Sequence, residues 1–159
     1  ILTQNVPVIV LAPLLVMWFG FGLLPKLIVI SLVVFFPIAV AALDGFRQVP
    51  MELLHYLEMA GASRSQRFWK LELPYALPAI FSGLKISATY SVMGAVISEW
   101  LGAKAGIGVF MMLAKSSFRT DRVFAAILII MVLSLLFFAL IRLLERMLIR
   151  WQPEKEERR

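Results

Sequence analysis

Charged positions along the chain are spaced so that they leave four long apolar runs. Residues 1–25 carry no charge, 27–43 carry none between Lys26 and Asp44, 86–98 none between Lys85 and Glu99, and 123–141 none. A helix that crosses a hydrocarbon core of about 30 Å needs about 20 predominantly apolar residues. The pattern therefore predicts membrane-spanning helices over about residues 6–24, 27–43, 78–100 and 123–145. The run 86–98 is short by itself, at roughly 20 Å of helix, and is completed if Lys85 snorkels to one interface and Glu99 reaches the other. Prolines at 7, 13 and 37 are tolerated in spans where neighbours satisfy the freed backbone, and Pro37 predicts a kink. Gly20 and Gly22 suit close helix approach, and a connection as short as Pro25-Lys26 makes the first two helices antiparallel neighbours.

Residues 44–77 form a polar, amphipathic island between the second and third runs. Pro50 suits a first helical position, and Met51, Leu54 and Leu57 follow at helical spacing. Gly61 stops that helix. Ser63 with Gln66 reads as a capping box that starts a second one, leading into Phe68, Trp69 and Leu71, and Pro74 is expected to close it. Two short helices broken at Gly61-Ala62-Ser63 are too polar to span a bilayer, yet they expose Leu, Met, Phe and Trp. Such a unit either docks on a protein partner or lies on the membrane surface.

Further on, Gly83, Ser87, Ser91, Gly94 and Ser98 recur at helical spacing, with Tyr90 beside them. A stripe of small residues means close helix packing. It has two readings: a translocation path lined by Ser87, Tyr90, Ser91, Gly94 and Ser98, or packing within one subunit. Glu99 likewise reads either as a functional acid facing an interior or as an interfacial residue beside Trp100. Gly102, Gly106 and Gly108 mark a loop, with a short helix over 109–118. Arg142, Arg146 and Arg150 repeat every four residues beside Trp151, which reads as an anchor at an anionic membrane surface. The organisation is a single transmembrane domain over 1–152 with a disordered tail over 153–159.

Composition places the chain in the membrane class: 61% of its 159 residues are hydrophobic and mean hydropathy is +0.88. The absence of cysteine and the single His55 exclude disulfides, thiolate sites and a histidine metal site. The net charge of +6 is distributed among loops and helix ends, which argues against nucleic-acid binding. If 44–77 and the C-terminus share a side, eleven of the sixteen bases lie there, counting Lys85, and five lie opposite: Lys26, Lys104, Lys115, Arg119 and Arg122. The positive-inside rule puts the eleven, and with them loop 44–77 and the C-terminus, in the cytoplasm. No GxxxxGK[ST] loop, paired carboxylates or nucleophile with a base is present, so no catalytic role and no cofactor is expected. The first residue is Ile1 rather than Met, and the expectation is a truncated chain.

Gly61, nine further residues and then Leu71-Glu72-Leu73-Pro74 resemble the cytoplasmic loop signature of ABC importer permeases, Glu-Ala-Ala-x-x-x-Gly-x9-Ile-x-Leu-Pro. His55-Tyr56-Leu57 stand at the Glu-Ala-Ala positions and Leu71 at the Ile, with Glu58 available as an acid one turn on. NVPVIVLAPLLVMWFGFG, VVFFPIAVAALDGFR and GAVISEWLGAKAGIG are similar to segments of the branch that serves nitrate, sulfonate, taurine and pyrimidine thiamine-precursor importers. ATYSVMGAVISEWLGA leans toward the thiamine-precursor members. The resemblance implies an all-α membrane fold with four spans in this chain, two further spans before them, and a cytoplasmic coupling loop. It implies that an ATPase docks on Glu58, Met59, Ala60, Gly61, Ala62 and Ser63 with Leu73 and Pro74, and that ATP is hydrolysed on that separate subunit. The other implied partners are a second permease copy in a homodimer, an extracytoplasmic substrate-binding protein and the lipid of the plasma (inner) membrane. The competing readings are a carrier driven by ions or protons, for which only Lys85 and Glu99 approach the hydrocarbon, and a membrane scaffold without a transport role.

Overall fold

The structure is a computed structural model that describes residues 8–100 and 102–149, and every regular element among them is helical. The first helix, α1, covers Val8–Phe19 and is ended by Gly20, whose φ of +72° lies in the left-handed region that glycine enters without steric cost. The turn between the first two helices thus falls at Gly20–Gly22, not at Pro25-Lys26. Neither glycine packs against a neighbouring helix, since a Cβ on either would meet nothing within 4 Å.

The second helix, α2, runs from Leu23 to Arg47, with Pro25 in its first turn, where a missing N–H costs no hydrogen bond. At 12 residues α1 amounts to roughly 18 Å, short of a span, and residues 6 and 7 of the expected span 6–24 lie outside the described residues. Three described helices are long and apolar enough to cross a membrane: Leu23–Arg47, Arg64–Trp100 and Thr120–Leu148.

Between the first two of these spans lies α3, Met51–Met59, with Pro50 as its N-cap rather than its first residue. The expected stop at Pro74 does not occur. Helix α4, Arg64–Arg67, passes through a π-turn at Phe68–Glu72 directly into α5, Leu73–Trp100, giving one rod of 37 residues. In the π-turn the Leu73 N–H reaches back to the Phe68 carbonyl, and this wider turn takes up the distortion that a proline at the next position imposes. The loop expected over 44–77 is therefore much shorter: Asp44 belongs to α2 and Arg64 onward to the rod. Helix α6, Ile107–Ser116, and helix α7, Thr120–Leu148, complete the chain, and the tail 153–159 with Arg150 and Trp151 lies outside the described residues.

The centre of the molecule is the seam between α2 and α5. On α2, Val29, Val33, Pro37, Ala41 and Gly45 lie four residues apart, one ridge of the helix. On α5 the opposing positions are small. A Cβ added at Gly83 would come within 2.6 Å of the Ala41 Cβ and 2.8 Å of the Pro37 carbonyl oxygen, and one at Gly45 within 3.0 Å of the Ala76 carbonyl oxygen. Gly94 faces Val33 at an ordinary 3.7 Å. These pairings run in opposite senses along the two helices, so α2 and α5 are antiparallel. The Ser87 hydroxyl donates to the Val34 carbonyl at 2.8 Å, next to the Val33 carbonyl that Pro37 leaves without its helical donor. Close backbone approach, and not bulk apolar burial, holds this seam.

Elsewhere the large apolar side chains point outward. Among the described residues of α7 only Ala126 is buried, while Phe124, Leu128, Leu135 and Leu136 are more than half exposed. Exposed apolar faces on this scale need lipid or another chain to cover them.

Candidate functional site

An exposed structured segment that resembles no membrane span is the α3–α4 turn at the foot of the long rod. None of the nine residues of α3 is buried, and Met51, Tyr56 and Met59 are at least 65% exposed. The helix ends in a Schellman motif: the Ala62 N–H donates to the Leu57 carbonyl and the Gly61 N–H to the Glu58 carbonyl, both at 3.0 Å. That motif requires a left-handed residue, and Gly61 supplies it at φ +77° with open space where a Cβ would stand. The chain then restarts at once through the expected capping box, in which the Gln66 N–H donates to Ser63 Oγ and the Ser63 N–H to Gln66 Oε1. Residues 59–63 thus form a rigid turn whose backbone polar groups are largely satisfied within itself.

Several charges at this turn are paired with one another across it. Arg67 pairs with Glu58 through Nη1 and donates from Nε to Glu72 Oε1 at 2.9 Å, so one guanidinium bridges the end of α3 and the π-turn. His55 Nδ1 lies 3.5 Å from the other Glu58 oxygen. Glu58, which the resemblance places on the docking surface, is paired with Arg67 and so braces the turn. Arg67 as the brace could not be singled out in the sequence, because a pair nine residues apart meets only once the chain reverses at Gly61, whereas His55 and Glu58 are neighbours one turn apart on α3. Phe46 at the end of α2 stacks on Phe68 with ring centroids 5.9 Å apart, tying the π-turn to α2. Leu73 and Pro74 lie in the rod beside this brace, half-buried, rather than on the exposed turn.

The residues read as a path separate into two groups. Ser87, Gly94 and Ser98 are buried, with Ser87 and Gly94 set against α2, so that part of the stripe packs within this chain. Ser91 is half-buried and donates to the Ala88 carbonyl at 2.8 Å, whereas Tyr90 is 44% exposed on a face of α5 shared with Ile86 and Met93.

Glu99 has a local task. Helix α6 starts at Gly106 with no capping side chain of its own, and the Gly108 N–H in its first turn donates to Glu99 Oε2 at 2.6 Å. Trp100 Nε1 donates to the Gly108 carbonyl at 3.1 Å, so adjacent residues of α5 hold both polar atoms of one glycine. A carboxylate is favoured at a helix N-terminus, where unpaired N–H groups carry partial positive charge.

Residues 1–150 match the model of one protein family, the binding-protein-dependent transport system inner membrane component. The chain belongs to this family. A probable ABC transporter permease protein of Haemophilus influenzae is 39% identical over 92% of this chain and 60% of its own length. A formylaminopyrimidine transport permease protein of Halalkalibacterium halodurans is 38% identical over 96% of this chain and 61% of its own, and a taurine transport system permease protein of Escherichia coli 35% identical over 96% and 56%. The chain spans about three-fifths of the length of these permease relatives.

Proposed function

We propose that this chain works as the transmembrane permease subunit of an ATP-driven importer, with ATP hydrolysed on a separate subunit that docks on residues 58–63. The carrying observation is the α3–α4 turn: an exposed, internally capped elbow joined without a flexible joint to a rod long enough to cross the membrane. Glu58, Met59, Ala60, Gly61 and Ser63 are exposed on it, with Ala62 half-buried among them; Glu58 also braces it through Arg67, and Leu73 and Pro74 anchor it to the rod. A load applied to such a turn moves α5, and the close seam takes α2 with it. Differential contact with the ATPase in its two states would then shift the spans between two arrangements. The turn and the C-terminal end of α7 lie in the cytoplasm on this reading, and the α6 corner faces outward toward a binding protein that delivers solute.

The solute is a small polar or anionic molecule, in keeping with relatives named for taurine, aliphatic sulfonates and formylaminopyrimidine. The path runs along the exposed α5 face that bears Tyr90, with Ser91 at its edge and a second copy of the subunit completing it; Ser87, Gly94 and Ser98 set the position of that face from behind.

The test is association. Met59→Arg places a charge on the outermost apolar residue of the turn and is expected to lower the yield of copurified ATPase at least about tenfold, while the permease itself still reaches the membrane. Full recovery of the ATPase with that variant overturns the docking assignment.

A further inference from the structure

We infer that the ion pair between Lys85 and Glu145 is the strap that makes α7 follow the docking rod, so that these two residues are positioning residues for transport. The inference rests on the permease reading above. Lys85 Nζ donates to both carboxylate oxygens of Glu145, at 3.1 and 2.9 Å, and both side chains are less than a quarter exposed. The surface of α7 turned toward the rest of the chain is otherwise apolar or small: Val123, Ala126, Ile130, Ser134 and Ile141 recur every three to seven residues and are buried or half-buried, and Glu145 continues that stripe. An acid on the packing stripe of a spanning helix is costly unless it is paired.

Its partner stands on the rod itself. Lys85 lies 12 residues beyond Leu73, on the helix that continues without interruption from the α3–α4 turn. The α2–α5 seam already locks those two helices through backbone contact, so α2 needs no further link. Toward its C-terminal end α7 has no glycine to bring a backbone close, and Leu143, Leu144, Met147 and Leu148 are exposed. A two-pronged ion pair at that end is what ties it to the moving rod.

The experiment uses the assembled transporter, full-length permease with its ATPase and binding protein, in vesicles, and measures solute taken up per ATP hydrolysed together with the yield of copurified ATPase. K85E and E145K are each expected to lower uptake per ATP about tenfold at parental ATPase yield, and the double variant K85E/E145K is expected to recover to within about twofold of the parent. A merely structural role would instead lower assembly and hydrolysis together. A second measurement covers variants that fail to assemble: in K85C/E145C, uptake per ATP is expected to be low until a short bis-thiol reagent bridges the two positions, and then to rise. Unchanged uptake per ATP in the single reversals overturns the inference. So does a double variant that assembles without recovering, or a bridged cysteine pair that stays uncoupled. Absence of ATP-driven uptake by the parent complex overturns the permease reading itself, and the strap with it.

Discussion

Gly61 and Glu99 each meet a requirement that a different side chain fails for a nameable reason. At Gly61 the obstacle is conformation alone, since the space around it is open. A β-branched side chain in the left-handed region costs roughly 1–2 kcal/mol, while asparagine enters it more readily. Gly61→Val is therefore expected to continue hydrolysing ATP while losing most uptake, because the elbow is reshaped, and Gly61→Asn to retain coupling; paired uptake and hydrolysis assays check both. At Glu99 the requirement is chemical. Glu99→Ala removes the acceptor of the Gly108 N–H and, at a typical cap contribution of about 1 kcal/mol, is expected to lower the unfolding midpoint in detergent. The expected drop is about 2–4 °C, against little change for a substitution at the exposed Phe110. The capping box at Ser63 and the helix stop at Gly61 were legible because they depend on neighbours three residues away. The task of Glu99 was not, because its partner becomes a neighbour only when α6 folds back.

Helices meet here through backbone proximity, and that makes substitutions in the small stripe unequal. Gly83→Val places a branched side chain against the Pro37 carbonyl and the Ala41 methyl, neither of which can retreat, and overpacking of this kind costs about 1–3 kcal/mol or more. It is expected to reduce the amount of folded protein in the membrane, whereas Gly94→Ala, facing Val33 at ordinary contact distance, is expected to be neutral; fluorescence-detected size exclusion in detergent separates the two. The periodicity of small residues announced that something packs closely on α5. It left open whether that neighbour belonged to the same chain, and α2 takes the place for Gly83, Ser87 and Gly94. The same limit applies to Pro74. Proline next to a polar segment reads as a stop, and only the π-turn preceding it turns the stop into a continuous rod.

For the whole molecule, the spans and the distribution of bases define a topology that surface chemistry can test. Because this chain contains no cysteine, single cysteines introduced at Met59 and Lys115 report cleanly on the two faces. A membrane-impermeant thiol reagent applied to intact cells is expected to label Lys115→Cys and to spare Met59→Cys until the membrane is opened; the reverse pattern overturns the orientation.

Three of the four apolar runs lie in helices long and apolar enough to cross a membrane, with longer bounds than their charge-free stretches. The first, broken at Gly20, gives a described helix too short to do so. The sequence alone determined which stretches partition into hydrocarbon, where the polar elbow breaks and how it is capped, because transfer free energy and local hydrogen bonding are set by residues a few positions apart. Tertiary structure decided what those stretches touch. It paired Arg67 with Glu58, set Glu99 against the start of α6, gave Gly83, Ser87 and Gly94 to α2 and brought Lys85 to Glu145, a residue 60 positions away. Long-range pairing between helices depends on their crossing and rotation, which composition and periodicity along one helix do not encode.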